Sequence, residues 1–389
     1  MSITLKNQAA IVGIGQTKFS KNSGVSELAL AAEAVSKAID DAGLEPSQIG
    51  GLTTFQLDTN DEVDVARAVG IGDLTFFSRI GYGGGAAIGV IHQAAMAVAT
   101  GAADYVVAYR ALNGRSGQRY SDGVSGDIVT ADLIHWSWYM PWGLLTPASW
   151  VAMFTQRYIH ETGTKAEDLA QVAISMRNHA VNNPDAFFYK RPLTLDDYMN
   201  ARWIAEPLRL YDCCQETDGG CAVVITTPER AKDLKQKPAM IRGVSQGMGA
   251  DQEQMTSFYR PDIHTLPEMD TVAKQMWEVA GLSADDIDAA VIYDAFSSIV
   301  LMQLEAFGFC KPGEAKDFVQ GGALEVGGRL PTNTHGGQLS EAYIHGVNGI
   351  VEGVRLIRGT STNQPEKNDH VLVTAGVGVP TSAMVLGQA

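Results

Sequence analysis

The chain has little of what marks a membrane, secreted or nucleic-acid-binding protein. Of its 389 residues, 29 are Lys or Arg and 44 are Asp or Glu, which gives a formal net charge of −15. An acidic chain without a basic block is a poor candidate for binding nucleic acid or anionic lipid. No uninterrupted apolar run approaches about 18 residues, so we expect no membrane span. The first residues lack the apolar core of a signal peptide, which favours a cytoplasmic protein.

Cysteine is also scarce. Cys213, Cys214 and Cys221 crowd into one segment, Cys310 stands apart, and none belongs to a Cys-x-x-Cys pair. This spacing argues against a disulfide scaffold and a zinc knuckle, and the simplest role of Cys213 and Cys214 is packing. No carboxylate or cysteine completes a ligand set with the histidines of the C-terminal part, so we expect no metal in this chain.

What the chain does have is apolar side chain, 45% of its residues, enough for a large core. Its length suggests two or three domain-sized units, and an internal duplication divides it. The Ala-Gly-Leu stretch that begins at Ala42 is matched by one that begins at Ala280. Each stretch follows a predicted helix with glycine just past its end and precedes a predicted strand. These elements are helices over 28–42 and 272–280 and strands over 52–55 and 290–293.

The elements that follow also pair. Helices are predicted over 86–100 and 347–358, and each is followed by a strand, over 105–109 and 370–374 respectively. This alternation indicates an α/β protein of two βαβ-rich halves with buried parallel sheets. We predict an N-terminal half of residues 1–112 and 206–240, an inserted cap of residues 113–205 and a C-terminal half of residues 241–389.

The predicted cap is rich in aromatic residues. It holds Trp136, Trp138, Trp142 and Trp150, four of the six tryptophans in the chain. An aromatic insertion is suited to forming the wall of a site for a large apolar ligand. The same side chains could equally pack the cap onto the core, and the sequence leaves both roles open.

Motifs spread along the chain resemble the thiolase superfamily, and in particular its sterol-carrier-protein thiolase branch. They are Asp-Leu-Ala at 168–170, Asn-Pro-Asp-Ala at 183–186, Ile-Ala-Glu-Pro-Leu at 204–208, Asp-Gly-Gly at 218–220 and Asn-Thr-His-Gly-Gly at 333–337. The resemblance implies an α/β thiolase fold, in which two duplicated halves with five-stranded sheets form a five-layer αβαβα core. It also implies a homodimer and a coenzyme A thioester as ligand. From the residues themselves, Asp-Gly-Gly at 218–220 is expected to form a structural turn.

The residues that catalyse the thiolase reaction are replaced. Tyr82 stands at the turn of the nucleophilic cysteine, Tyr343 replaces the catalytic histidine, and Ala375 replaces the second cysteine. The family's Asn-Glu-Ala-Phe turn begins here with Tyr293. A thiolase needs a thiolate whose pKa is lowered at a helix N-terminus. Claisen condensation through an acyl-cysteine therefore cannot run on these residues.

The two tyrosines carry a closer resemblance, to the actinobacterial steroid side-chain aldolases, long known as lipid-transfer proteins. The matching motifs are Tyr-Asp-Ala-Phe at 293–296 and Ala-Tyr-Ile-His-Gly at 342–346. This resemblance implies retro-aldol cleavage of a β-hydroxyacyl-CoA on a steroid side chain, giving a 17-ketosteroid and propionyl-CoA. Tyr293 and Tyr343 are then the predicted acid–base pair, with Tyr293 at the hydroxyl and Tyr343 at the enolate. Such a role favours tyrosine pKa values below the usual value of about 10.

Other residues are predicted to position the substrate. The backbone amides of Tyr82 and Val377 lie in Gly-rich turns and are expected to donate to the thioester oxygen, where enolate charge develops. Tyr82 could instead fill space beside the acyl group. His335 and His345 flank Tyr343, and either could orient it through a hydrogen bond. Asp294 is expected to hold its own turn.

Two other functions stay open at this point. One is a non-catalytic acyl-CoA or lipid-binding protein, which would need neither tyrosine hydroxyl. The other is a degenerate acetyl-CoA acyltransferase, which would need a nucleophile that these turns lack. The aldolase resemblance further implies a small partner protein with an OB-fold and a zinc-binding ribbon, and no covalently bound cofactor.

Overall fold

Residues 4–81, 83–122, 136–253, 257–258, 260–376, 378 and 381–389 are described by the computed structural model. The strands in these ranges are β1 (Ala10–Gln16), β2 (Gly51–Phe55), β3 (Phe76–Ile80), β4 (Val106–Asn113), β5 (Trp203–Ala205), β6 (Leu208–Arg209), β7 (Asp218–Thr226), β8 (Ala239–Gly247), β9 (Ala289–Val291), β10 (His370–Ala375) and β11 (Thr381–Gly387). The helices are α1 (Glu27–Ala42), α2 (Glu62–Val69), α3 (Ala87–Ala99), α4 (Trp136–Tyr139), α5 (Pro147–Thr162), α6 (Ala166–Asn182), α7 (Leu195–Met199), α8 (Pro228–Ala231), α9 (Pro267–Ala280), α10 (Ser297–Ala306), α11 (Ala315–Phe318), α12 (Gly337–Ser340) and α13 (Val347–Arg358).

Nine strands are hydrogen-bonded in the order β3-β2-β4-β7-β1-β8-β11-β10-β9. The first five come from the first part of the chain and the last four from the second part, so the described residues give the second half one strand fewer than expected. The two halves meet where β1 pairs with β8 at Ala10–Met240 and Ile11–Ala239.

The prediction of parallel sheets is wrong for most strand pairs. Parallel pairing occurs between β2 and β3, β2 and β4, and β9 and β10, whereas the other pairs are antiparallel. The reason is clearest for β10 and β11, which follow one another after a short connection. A connection of this length permits only an antiparallel hairpin, since a parallel pair needs a long crossover.

The local duplication is confirmed. Helices α1 and α9 end at Gly43 and Gly281, with φ angles of 76° and 66° respectively. This left-handed conformation favours glycine and stops each helix at an equivalent point. A single 3₁₀ turn follows in each half, Pro46–Gln48 and Ala284–Asp286, and leads into β2 and β9.

Helices α3 and α13 form the centre of the molecule, because each contacts strands from both halves of the sheet. Helix α1 packs on the first half and α9 on the second, which gives the layer order helix, sheet, helix, sheet, helix. Helix α3 is apolar almost all round, as expected for a helix buried on every side. Of the helices in the described ranges, none has the length and apolar character needed to cross a bilayer.

The segment between β4 and β7 leaves the sheet and returns to it. These two strands are direct antiparallel neighbours along their length, from Val106–Ile225 to Asn113–Asp218. The sequence Asp-Gly-Gly at 218–220 therefore begins a buried strand, and its interpretation as a turn is wrong. A side chain on Gly220 would collide with the backbone of Leu30, so this glycine permits close packing of α1. The domain boundaries at 113–205 stay a prediction.

Candidate active site

A cavity of about 460 Å³ opens beside the turns that precede α10 and α13. Both Tyr293 and Tyr343 line it. Part of its wall is apolar, formed by Leu57, Val151, Phe154, Ile204, Leu210 and Phe296. Another part is cationic, with Lys21, Arg115, Arg119 and Arg202. The cavity therefore combines a large apolar surface with positive charge, as a site for an apolar molecule bearing anionic groups requires.

Tyr293 is fixed by a ring of hydrogen bonds around its backbone. Its N–H donates to Thr374 Oγ1 at 2.9 Å, and its carbonyl oxygen accepts from Gln303 Nε2 at 2.8 Å. Thr374 Oγ1 in turn donates to Gln303 Oε1 at 2.6 Å, which closes the ring. The residue follows β9 directly and is buried. Strand β10 and helix α10 thus jointly set the position of this side chain.

The structure brings the two predicted tyrosines together. The hydroxyl oxygens of Tyr293 and Tyr343 lie 3.1 Å apart, with the rings edge to face at 6.5 Å. The backbone of Tyr343 is held against the segment before β7, where its N–H donates to Thr217 Oγ1 at 3.3 Å. Tyr343 is half-buried whereas Tyr293 is buried. A proton can therefore pass directly from one phenol to the other.

The hydroxyl of Tyr293 lies against the turn that begins the central helix. A Cβ on Gly84 would overlap the hydroxyl and ring of Tyr293, and Gly84 is the first residue of the 3₁₀ turn that continues into α3. A Cβ on Gly376 would overlap Gly85, so the turn after β10 contacts the same place. Three turns distant in sequence thus converge on one phenol.

Two of the predicted donors cannot be placed. Tyr82 and Val377 lie outside the described residues. Their neighbours Gly83 and Gly84 line the cavity. Gly85 and Gly376, which the structure describes, are adjacent, since a Cβ on Gly376 would lie 2.4 Å from Gly85.

His345 lines the cavity next to the tyrosines and is hydrogen-bonded to the buried ion pair of Arg110 and Asp58. Its ring lies 4.9 Å from that of Tyr343, centroid to centroid. Its Nδ1 accepts a hydrogen bond from Arg110 Nε at 3.0 Å, and Arg110 NH1 lies 3.0 Å from Asp58 Oδ2. Burial and then the positive charge of Arg110 hold the pKa of His345 well below its usual value. The imidazole is therefore neutral.

Sequence reasoning missed Asp58, Arg110 and Tyr120. Arg110 is on β4, and Asp58 follows β2, where its carboxylate also accepts the N–H of Ala111 at 2.9 Å. Tyr120 lines the cavity and lies edge to face with His345 at 5.1 Å. The available signal was an Asp and an Arg just after or within apolar strands, where an unpaired charge would be costly.

His335 does not line the main cavity. It lies behind Tyr293 beside a much smaller space that Asp294 also lines. Its Nε2 is 3.7 Å from Glu341 Oε2, and burial lowers its pKa to about 3. Asp294 accepts from the backbone N–H groups of Gln338 and Leu339 at 2.8 and 3.3 Å. These contacts agree with the expectation that Asp294 holds a turn.

The expected lowering of the tyrosine pKa values is wrong. Burial raises the pKa of Tyr293 above its usual value, and the hydrogen bond with Tyr343 opposes this only in part. Burial also raises the pKa of Tyr343, followed by the interaction with Tyr293. Both phenols are therefore neutral near pH 7, because a lone phenolate in this cavity would be poorly solvated.

Cys213 and Cys214 both line the cavity, a placement that the sequence did not indicate. Burial raises the pKa of both thiols, so neither is a thiolate near neutral pH.

The four tryptophans of the predicted cap differ in their surroundings. Trp150 lines the cavity, Trp138 and Trp142 are 73% and 80% exposed, and the side chain of Trp136 lies outside the described residues.

Comparison with known proteins identifies the family of the chain. Residues 249–388 match the thiolase C-terminal domain-like family. A steroid side-chain-cleaving aldolase of Thermomonospora curvata is 60% identical over 385 residues, 98% of each chain. The 17-hydroxy-3-oxo-4-pregnene-20-carboxyl-CoA lyase of Mycobacterium tuberculosis is 58% identical over 385 residues, 98% of this chain and 100% of the relative.

Solved structures give the same result. The structure of an Ltp2-ChsH2(DUF35) aldolase superposes with a TM-score of 0.96 at 59% identity over 99% of both chains. Human mitochondrial 3-ketoacyl-CoA thiolase superposes with a TM-score of 0.70 at 15% identity over 100% of both chains, which shows the fold alone. The chain thus has the predicted thiolase fold, and it also resembles an SCP2-thiolase-like protein of Mycobacterium smegmatis, with a TM-score of 0.71 at 19% identity.

The chain belongs to the family of steroid side-chain-cleaving aldolases. It is therefore an enzyme, a carbon–carbon lyase of the retro-aldol type. The predicted enzyme class is confirmed, and the alternatives of a non-catalytic binding protein and a degenerate acyltransferase are set aside.

Proposed function

We propose that this lyase cleaves the β-hydroxyacyl-CoA thioester of a steroid side chain to a 17-ketosteroid and propionyl-CoA, with Tyr293 and Tyr343 as its acid–base pair. The proposal rests on one observation above all, the 3.1 Å contact between the two hydroxyl oxygens at the cavity wall. The names of the relatives at 58% and 60% identity supply the substrate class.

The proposed reaction is a proton relay, in which every proton that one group releases is accepted by another. The substrate's β-hydroxyl gives its proton to the Tyr293 oxygen, and Tyr293 gives its own proton to Tyr343. The bond between the α- and β-carbons breaks, the β-carbon becomes the ketone, and the electron pair forms the thioester enolate. As Tyr343 accepts the proton from Tyr293, it gives its own proton to the α-carbon. Because burial disfavours either phenolate, a relay in which the protons move together avoids a free charge on the pair.

The cavity wall supports a steroid acyl-CoA as substrate. Trp150 and Phe154 provide apolar surface of the kind that a fused ring system contacts. Arg115 provides positive charge for the phosphates of coenzyme A, which guanidinium groups bind in two-point geometry, whereas Arg119 is paired with Glu216 at 2.6 Å. No covalently bound cofactor is needed, because the thioester itself accepts the electrons of the broken bond.

The enolate oxygen needs hydrogen-bond donors. We assign this role to the backbone amides of Tyr82 and Val377, supported by the contact between the neighbouring Gly85 and Gly376. His345, whose ring centroid lies 4.9 Å from that of Tyr343, is the proposed side-chain donor to the same oxygen. His335 supports the turn from behind, through its proximity to Glu341.

The assembly is also part of the proposal. The solved relative at 59% identity is named as a complex with a DUF35 protein, so we propose an equivalent small partner with an OB-fold and a zinc-binding ribbon. We further propose a homodimer through β3, which is the end strand of the sheet. Phe77 on this strand is 69% exposed, and an uncovered edge strand is a natural pairing surface.

The test uses the purified full chain, alone and with its DUF35-type partner. A 17-hydroxy steroid CoA thioester is supplied, and ketosteroid and propionyl-CoA are measured by mass spectrometry. Tyr293→Phe and Tyr343→Phe are each expected to lose about 10²- to 10⁴-fold in kcat. Tyr105→Phe, in the other core layer, is the matched control. Absence of both products under every condition would overturn the substrate assignment, and full activity in both variants would overturn the relay.

A further inference from the structure

The geometry points to a positioning device that the reaction chemistry alone does not require: Asp58 and Arg110 hold His345 in the tautomer that donates a hydrogen bond from Nε2 to the substrate. The inference rests on the proposed function, since it names a donor for that reaction. It concerns how two buried residues outside the tyrosine pair prepare the site.

The tautomer follows from the hydrogen bond. Arg110 Nε is a donor only, so the Nδ1 atom that it contacts at 3.0 Å must be an acceptor. A neutral imidazole with an acceptor at Nδ1 carries its proton at Nε2. Among the described residues, Nε2 has no hydrogen-bond partner. It is also absent from the set of solvent-inaccessible polar atoms without a partner, so part of its surface is accessible. Since the residue lines the cavity, this N–H is available to a ligand.

Arg110 is itself held in place. Its guanidinium lies 3.0 Å from Asp58 Oδ2, with exposed side-chain fractions of 2% and 0%. A second Arg110 contact, from NH1 to the carbonyl of Ala111 at 2.9 Å, fixes the plane of the guanidinium. Asp58 is fixed in turn by the N–H groups of Ala111 and Asn60, both at 2.9 Å. Because these contacts fix the buried guanidinium, its Nε–H can bond to the imidazole in only one ring orientation.

The groups facing His345 set its charge. Arg110 faces His345 from β4, and Asp58, in the segment after β2, lies behind Arg110. Tyr120 faces His345 from the segment after β4. Tyr343 faces it from its own turn and is bonded to Tyr293. The nearest charge is thus positive, so a second proton on the ring is disfavoured. His345 stays a neutral donor, suited to an oxygen atom on which charge develops.

The first experiment measures the tautomer without substrate. Nitrogen-15 NMR of histidine-labelled full-length protein, with His345 assigned from the His345→Asn variant, is expected to show Nε2 protonated and Nδ1 unprotonated from pH 6 to pH 9. A protonated Nδ1 or an imidazolium ion in this range would overturn the inference. Because no turnover is involved, this result is independent of the proposed reaction.

The second experiment separates the donor from the fold. His345 has a φ of 50°, a left-handed conformation that asparagine tolerates well. His345→Asn places an amide at the Nδ1 position toward Arg110 but offers no donor at the Nε2 position. We expect unchanged thermal unfolding and a loss of about 10²- to 10³-fold in kcat. His345→Gln, whose longer amide reaches toward the Nε2 position, is expected to recover part of it. Wild-type kcat in His345→Asn would overturn the role.

The third experiment addresses the positioning residues. Asp58→Asn/Arg110→Met removes both charges together, so that no buried charge is left unpaired. With the lock removed, a mixture of the two neutral tautomers is expected in the NMR spectrum instead of the Nε2-protonated form alone. Loss of the Arg110 charge is expected to raise the pKa of His345, which burial still holds below its usual value, so the loss of activity at acidic pH should begin at a higher pH than in the wild type. A folded double variant with the wild-type tautomer and pH profile would show that Asp58 and Arg110 have a structural role only.

Discussion

The hydroxyl group of Tyr293 occupies the space that a side chain on Gly84 would need. Gly84 begins the 3₁₀ turn before α3, whereas Tyr293 follows β9 in the other half of the chain. The first half thereby sets a limit on where a phenol from the second half can lie. Together with the hydrogen bonds that fix the Tyr293 backbone, this close approach limits the hydroxyl to a place beside Tyr343.

Gly84→Ala is therefore expected to displace the Tyr293 hydroxyl. A shift of about 1 Å in a reacting group can cost about 10²-fold in rate, so a loss of this size in kcat is the expected result. Gly72→Ala is the control, because nothing lies within 4 Å of its Cβ position and Gly72 does not line the cavity. Steady-state kinetics and thermal unfolding of both variants provide the check. Equal losses in the two variants would contradict the steric argument.

The tyrosine pair is expected to behave as one unit. Removing either hydroxyl interrupts the whole relay, so Tyr293→Phe/Tyr343→Phe should be no slower than the slower single variant. Single-turnover measurements with product quantified by mass spectrometry give the three rates. If the losses multiply, the two hydroxyls act independently and the relay is wrong.

The cysteines beside the cavity are expected to take no part in covalent catalysis. Burial raises the pKa of Cys213 and Cys214, so neither thiol supplies a nucleophile near neutral pH. Intact-mass analysis of enzyme quenched during turnover should show no acyl adduct. Iodoacetamide should modify both slowly in the folded protein and rapidly in urea. An acyl group recovered on the peptide containing residues 213–214 would refute this.

Folding stability is expected to fall with rising pH because of Glu341. Its carboxyl lies near Asn183 and Asn348, and burial raises its pKa to about 8 from a usual value of 4.5. The folded protein keeps this proton where the unfolded chain has released it. The contribution is fully present below pH 4.5 and is lost as the pH rises to about 8.

Urea unfolding between pH 5 and pH 9 measures this effect. Glu341→Gln cannot titrate, so its free energy of unfolding should decline less steeply over this range than that of the wild type. Glu33→Gln, at an exposed pair with Lys37, serves as the control and should follow the wild-type slope. Parallel curves for wild type and Glu341→Gln would show that the carboxyl is already ionised in the folded protein.

Most of the elements could be predicted from local pattern. The helix expected over 347–358 is observed at Val347–Arg358, and the strand expected over 370–374 at His370–Ala375. Glycine at positions 43 and 281 ended two helices where the sequence predicted. Strand direction was not predictable in this way, because alternation of apolar elements does not specify which strands become neighbours.

Some residues of the candidate site could also be identified from the sequence, and others could not. Tyr293 and Tyr343 could be identified because they stand where a related fold has catalytic residues. Asp58 and Arg110 could not, because each is a single charge in an apolar stretch and only the partner across the sheet explains it. The direction of the tyrosine pKa shifts was missed for the same reason, since it depends on the burial of the finished cavity.

The sequence by itself determined the helical and extended segments, the absence of a thiolase nucleophile and the presence of two tyrosines at its former turns. These depend on residue type and on neighbours a few positions away. Only the tertiary structure decided that the two hydroxyls lie 3.1 Å apart, that Cys214 faces the cavity and that Arg110 locks His345. Those relationships join residues from distant segments, and they exist only once the packing of the halves has excluded water and fixed each side chain against the others.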